Sequence, residues 1–367
     1  MALAATPGNA REPVPYDGVR RVCIRAPNWV GDAVMATPAL RAIRAHLPSA
    51  RATIVLAGRV EPVLRGAPWV DRWELYSPAR RWPPGEFLRC ARALKRDGYE
   101  LGFALPNSFS SALMLLMGGV KRRVGYGRDC RSPLLTDAVP RPSADGRFKP
   151  TYMVDYYLGL CAAVGIPPAG RQMELFYTMD DARQADQVLR SQGVEAAEDL
   201  FLLHPGAGFG PSKRWPSERF ARLAELLERD YGAQLAVIGG PAERETTARI
   251  RDLSRARIAD LSDCGVDLHL LKCVVRRSKL LVTTDSGPRH YGVALGVPTV
   301  CVMGPTHPGY STSTLPNDHL VRLDVECGPC QRKRCPRDHR CMRDITAEAV
   351  LEACRRALSP RGEPGGP

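Results

Sequence analysis

Asp32 follows a glycine in the run Asn28-Trp29-Val30-Gly31-Asp32. A carboxylate there stands one residue past a point where the chain can turn tightly and a ligand can approach the backbone. It can take a proton from an attacking hydroxyl, or it can serve as a helix N-cap, where aspartate is common. A second run, His204 to Pro216, holds Gly206, Gly208 and Gly210, then Ser212, Lys213 and Arg214. Exposed amides beside a hydroxyl and two cations suit a diphosphate, whereas a plain surface turn needs no such density of glycine. The spacing is neither the Walker pattern nor the dinucleotide fingerprint. In a third run, Thr284 to His290, Asp285 or Ser286 can cap a helix whose free amides and dipole favour a phosphate; the plainer reading is a capped helix with a satisfied histidine. The fourth run, Gly239 to Glu245, sets Glu243 near two glycines, as a ribose or base contact would require. Glu243 is otherwise a first-turn helix carboxylate.

A fifth group is of a different kind. Cys327, Cys330, Cys335 and Cys341 fall within fifteen positions, with His339 among them. Thiols so clustered have the ligand chemistry of a structural zinc or an iron–sulfur centre. The spacing is not that of a standard finger, and a disulfide or free thiols are the other readings. Arg332, Lys333, Arg334 and Arg337 lie in the same stretch, either contacting an acidic ligand or simply solvated.

The elements that must position these residues alternate between strand and helix. Arg21–Arg25, Ala52–Leu56, Leu101–Leu105 and Val120–Gly127 read as strands of a first half, with a helix through Leu40, Ile43 and Leu47. That helix starts either at Thr37, with Pro38 just inside it, or nearer Asp32 with a kink at Pro38. A softer stretch over 165–199 contains a polar helix around Asp181–Gln192. Strand–helix alternation then resumes, with strands at Leu200–Leu203, Leu235–Ile238, Leu280–Thr283 and Thr299–Val302. Helices are expected from a Ser217 cap, through Leu268, Leu271 and Val275, after Gly287, and over 347–358. Apolar strands alternating with helices imply α/β architecture with parallel sheets covered on both faces. In such sheets ligands sit beyond the carboxyl ends of the strands, where the first four runs fall.

The chain has 367 residues, enough for two domains. Hydrophobic residues make up 44% and charged residues 25%, as in ordinary globular proteins. The formal net charge of +13 favours an anionic partner: a nucleotide, a nucleic acid or a phosphate-bearing membrane face. Many of the arginines simply solvate helix faces. Aromatic residues are only 7% and no nucleic-acid motif is present, so nucleic acid is not expected as a partner. The longest apolar stretch, Leu113 to Val120, falls far short of the ~20 residues that a transmembrane helix needs, and the first residues do not make a signal peptide. A cytoplasmic protein, touching a membrane surface at most, is the expectation. Single cysteines within apolar runs, such as Cys23, Cys90 and Cys301, read as buried free thiols.

Together, Arg25–Asp32, Pro205-Gly206-Ala207 through Lys213-Arg214-Trp215-Pro216, Thr284–Gly287 through His290, and Gly304-Pro305-Thr306 resemble glycosyltransferase family 9, the lipopolysaccharide heptosyltransferases. The chain is most similar to the heptosyltransferase II branch. The resemblance implies a glycosyltransferase type B fold: two Rossmann-like domains facing each other across a cleft. It implies ADP-heptose on the C-terminal half, an inner-core lipopolysaccharide acceptor (heptosyl-Kdo lipid A) on the N-terminal half, and inversion by direct displacement with no cofactor for transfer. By that resemblance Asp32 matches the catalytic base and Lys213 the lysine at the donor diphosphate, with Ser212 beside it. Asp285, Ser286, Gly287 and His290 match the phosphate-binding helix start, and Glu243 a nucleoside contact. Arg25, Asn28 and Trp29 become candidates for the acceptor side. The expected layout is a disordered extension over 1–18, an acceptor domain over 19–180, a linker over 181–198, a nucleotide-sugar domain over 199–358 with the cysteine cluster at 327–341, and a disordered tail over 359–367.

Overall fold

The computed structural model describes residues 16, 18–77, 84–144, 147–195 and 199–359. Apart from Tyr16, Gly18 and Ser359, the expected disordered ends lie outside the described residues, as does 196–198 of the expected linker.

Six strands build the first sheet: Arg21–Arg25 (β1), Arg51–Ala57 (β2), Arg72–Tyr76 (β3), Leu101–Ala104 (β4), Arg122–Tyr126 (β5) and Asp137–Val139 (β6). They are all parallel, in the order β3-β2-β1-β4-β5-β6. A small antiparallel hairpin follows, Ser143–Ala144 (β7) with Arg147–Phe148 (β8). The helices of this half are Val30–Met35 (α1), Thr37–His46 (α2), Glu61–Leu64 (α3), Pro84–Asp97 (α4), Phe109–Met117 (α5) and Met153–Ala162 (α6). Met179–Ser191 (α7) then begins with a capping box, in which Thr178 and Asp181 bond each other's backbone N–H.

The second sheet repeats the plan. Its strands are Leu200–His204 (β9), Gln234–Val237 (β10), Ile258–Asp260 (β11), Leu280–Thr284 (β12), Thr299–Val302 (β13) and Asp318–Val321 (β14). Their order is β11-β10-β9-β12-β13-β14, again wholly parallel. Around them lie Ser217–Tyr231 (α8), Arg244–Leu253 (α9), Leu271–Arg277 (α10), Gly287–Ala294 (α11), Pro308–Ser311 (α12), Arg340–Arg343 (α13) and Ala347–Leu358 (α14). Both sheets thus have the 3-2-1-4-5-6 order of doubly wound dinucleotide-binding folds, in which the crevice lies where the strand order reverses. In this chain those points are the ends of β1 and β4, and of β9 and β12.

Helices cover both faces of each sheet, so the central strands are apolar throughout. Every residue of β9 and β12 is buried, and so is β2 after its first residue. Full burial of a leucine such as Leu200 or Leu202 contributes roughly 2 kcal/mol before the entropy cost of ordering it. One continuous apolar cluster runs from β1, β2 and α2 through α6 and α7 into β9, α10 and α11.

Several sequence expectations need correction. The first helix begins at Val30, with no side-chain cap, and breaks at Ala36, so Asp32 lies in its first turn and is no N-cap. Thr37 does not cap α2; its hydroxyl donates to the Val34 carbonyl. Ser217 is the first residue of α8, after Pro216 in the N-cap position. Strands β3, β6, β11 and β14, the β7–β8 hairpin and helices α3 to α6, α12 and α13 had no counterpart in the sequence reading. The four strands are sheet edges and are short or polar, so their apolar pattern is weak.

The halves meet tightly at two places. Helix α1 packs on α11. A Cβ on Gly31 would lie 2.7 Å from His290, and one on Gly287 would lie 2.6 Å from Val30, so only glycine permits the approach on either side. At the other place the Lys272 side chain is wholly buried. Its ammonium donates to the Arg65 carbonyl of the first half and the Phe176 carbonyl of the connection, each at 2.9 Å, and meets His269 Nδ1 at 3.1 Å.

Candidate functional site

The ends of β1, β9, β10 and β12 open into one cleft between the halves, with a volume of about 990 Å³. Asp32, Lys213, Asp285, Glu243 and His290 all line it, although up to 258 positions separate Asp32 from His290 in the chain. A topology that folds twice to the same plan and then places the two sheets' reversal points face to face is what gathers them.

Asp32 enters from the first half. It is half-buried, and burial pushes its carboxyl up to about 6; Lys213 pulls the value down and Asp285 pushes it up. A carboxyl placed there is ionised at neutral pH yet basic enough to accept a proton. Lys213 enters from the second half, on the loop after β9. Its ammonium bonds Asp285 Oδ2 at 2.6 Å and the Asp285 carbonyl at 2.9 Å, and lies over the Phe209 ring. Asp285 is saturated: Thr306 and Ser311 donate to it, and Arg289 stands at 3.4 Å. Burial alone would raise its carboxyl, but Lys213 and then Arg289 overcome that and hold it well below the usual carboxylate range. Arg289, also wholly buried, is fixed in turn by both oxygens of Asp318. Lys213 is therefore a cation held in one place by an anchored carboxylate, with its outer side toward the cleft.

Ser286 occupies the N-cap position of α11 but makes no side-chain cap bond; its hydroxyl instead meets His204 Nδ1 at 3.1 Å and Thr283 Oγ1 at 3.2 Å. Burial lowers His204 to about 4, and burial followed by Arg289 lowers His290 to about 4, so both imidazoles are neutral. Glu243 sits in the N-cap position of α9, not in its first turn; its Oε2 accepts the Gly240 N–H at 2.9 Å, beside the glycines after β10. Trp29 is 52% exposed at the cleft mouth, with Asn28 next to it.

Two of the sequence candidates face elsewhere. Arg25 is only 2% exposed and does not line the cleft. Its guanidinium serves the Ala26 carbonyl, Asn28 Oδ1 and the Tyr76 hydroxyl, so it braces the loop ahead of Asp32. Ser212 is likewise buried, its hydroxyl donating to the Arg332 carbonyl and not to the cleft. Sequence reasoning missed His204, Arg59, Tyr310 and Gln331, which also line the cleft. His204 opens the glycine-rich run and carried a signal; Gln331 lies inside the cysteine stretch and carried none.

The four clustered cysteines line a separate small cavity of about 140 Å³. Burial first, and then the nearness of Cys335, Cys330 and Cys327, push the Cys341 thiol up to about 11. Among the described residues no group of three or more His, Cys, Asp or Glu stands ready-made around one point.

Comparison with known proteins agrees with the geometry. The model of glycosyltransferase family 9 (heptosyltransferase) matches residues 87–340. Lipopolysaccharide heptosyltransferase 2 of Salmonella typhimurium is 27% identical over 353 residues, covering 93% of this chain and 99% of that protein. Lipooligosaccharide heptosyltransferase 2 of Campylobacter jejuni is also 27% identical, over 93% of this chain and 100% of its own. Among solved structures, the ADP-heptose LPS heptosyltransferase II of E. coli superposes with a TM-score of 0.76 at 25% identity, covering 92% of this chain and 98% of that one.

Proposed function

The chain belongs to glycosyltransferase family 9, and from that premise we propose that it transfers heptose from ADP-heptose to the inner core of lipopolysaccharide, with heptosyl-Kdo lipid A as acceptor. The observation that carries the mechanism is the meeting of Asp32, raised to about 6, with the anchored Lys213 across one cleft.

A sugar hydroxyl is a weak nucleophile, so a carboxylate that takes its proton during attack lowers the barrier. Asp32 is that base. The acceptor oxygen bonds the anomeric carbon of heptose, the carbon–phosphate-oxygen bond breaks on the opposite side, and ADP departs with the electron pair. The configuration at that carbon inverts. The Lys213 ammonium and the start of α11 at Gly287 meet the charge that grows on the diphosphate, in a site already organised before reaction. His290 and Ser286 border that position, and Glu243 suits the ribose hydroxyls. Residues 199–358 hold the donor and 19–180 the acceptor, with Asn28 and Trp29 at its entry.

Among the described residues no helix is long and apolar enough to cross a membrane. Contact with an anionic membrane face is supported by the net charge of +13 and by the exposed Phe109, Leu116 and Met117 of α5. The test is transfer from ADP-heptose to heptosyl-Kdo lipid A, with an acceptor ending at Kdo assayed in parallel. Turnover on the heptosylated acceptor alone is expected. Turnover on Kdo alone, or on neither despite ADP-heptose binding, overturns the acceptor assignment.

A further inference from the structure

Residues 322–339, between β14 and α13, form a long connection with no regular structure. Connections beyond about 12–15 residues without secondary structure are uncommon in compact domains and usually functional. This one has no core of its own, since none of its residues is fully buried. It is nonetheless fastened to the catalytic cleft. The Ser212 hydroxyl donates to the Arg332 carbonyl at 2.5 Å, the Ser212 N–H donates to the Lys333 carbonyl at 3.2 Å, and His339 Nε2 meets the Ser212 carbonyl at 2.7 Å. Every polar group of the residue before Lys213 is thus bonded to this segment, and Gln331 reaches the cleft itself. A segment that positions a neighbouring loop must be ordered by something, and apolar burial does not do it.

We propose that Cys327, Cys330, Cys335 and Cys341 bind one thiophilic transition-metal ion, zinc or ferrous iron, and that this ion orders the segment and so positions Lys213. Three observations carry it. Side chains of all four cysteines line one small cavity, and the first three come from the coreless segment while Cys341 opens onto them from α13. The Arg337 N–H donates to Cys335 Sγ at 3.4 Å, two residues back, the kind of outer contact that orients a ligand sulfur. Arg332 and Arg337 line the same cavity, with Lys333 and Arg334 next to Arg332 in the chain, and offset the negative charge that four thiolates around one divalent ion leave. Four thiolates satisfy the tetrahedral preference of zinc, and of iron in the same ligand set. The thiols are not closed around a point; capture draws them inward, so binding and ordering are one event.

The ion is structural and takes no part in the transfer chemistry. The proposal therefore stands or falls separately from the acceptor assignment.

The full-length protein, purified anaerobically with reductant, is analysed for metal and for free thiols. About one zinc or iron per chain is expected, and the element found identifies the ion. Protein stripped by chelator and titrated with cobalt(II) should gain the visible absorption of a tetrahedral thiolate complex. Cys335→Ser should weaken metal binding by about tenfold or more, while Cys130→Ser, at an exposed cysteine outside the cluster, should leave it intact. ADP should bind the stripped protein about tenfold less tightly, through the displaced Ser212–Lys213 loop; unchanged ADP affinity overturns the positioning role. Two disulfides within the cluster, or reduced thiols that give no cobalt spectrum in protein isolated without metal, overturn the site.

Discussion

Asp32 and Asp285 stand in the same cleft, one from each half, and differ in what surrounds them. Asp285 has Lys213, Arg289, Thr306 and Ser311 as partners, and its carboxyl is held far below the usual range. Asp32 has no such set; burial raises it to about 6. The buried arginines divide in the same way. In the second half Arg289 is bound by the carboxylates of Asp318 and Asp285. In the first half Arg25 and Arg131, equally buried, are satisfied by carbonyl oxygens and neutral side chains. One scaffold used twice therefore yields a half in which Lys213, Arg289, Asp285 and Asp318 neutralise one another and a half whose single cleft carboxylate stays basic. Two like groups with divergent affinity for a proton mark a division of labour: one fixes a cation, and the other is left fit for the base role proposed for it.

The sharpest way to break this comparison is Asp32→Asn. Transfer should fall by about 10³-fold, with ADP affinity by calorimetry unchanged; substantial residual transfer would show that the two aspartates are not distinguished as described. Next is Asp285→Asn, which leaves the Lys213 ammonium without its carboxylate in a site largely closed to water. The variant should lose about 3 kcal/mol of stability in urea unfolding, whereas Asp32→Asn should lose little. The smallest effect is the most specific. Asp32 must be ionised to act, so kcat/KM should fall as pH drops below about 6. Lys213 holds the Asp32 value down; in Lys213→Met that influence is gone, and the acid limb should move to higher pH. A limb that stays in place would mean that the halves do not communicate through this pair.

Much of this layout was legible in the chain. Glycine-rich runs after apolar strands marked the four strand ends, because a ligand's close approach demands glycine and a parallel sheet demands apolar strands. Side-chain direction was not legible. Ser212 and Lys213 are adjacent, yet one faces the cysteine segment and the other the cleft, since the short turn Pro211–Lys213 points them apart. Arg25 reads as an acceptor-side candidate because arginine usually keeps its charge exposed; its burial depends on Asn28 and on Tyr76, more than fifty positions away. Helix α1 escaped a firm start because it has no capping side chain at Trp29. Gly31 reads as making room for a ligand and Gly287 as part of a phosphate-binding helix start, whereas each also makes room for the other half of the protein.

The apolar cluster that runs unbroken from β1 to α11 bears on how the molecule comes apart. Independent folding units keep their greasy residues to themselves and melt one at a time. Here Leu189 and Val194 on the connection, and Leu271 and Val275 beyond it, share one cluster with Ile43 and Leu160. Loosening either sheet strips cover from the other, so heat should register the two as a single cooperative body, and neither sheet excised alone would keep its inner face dry.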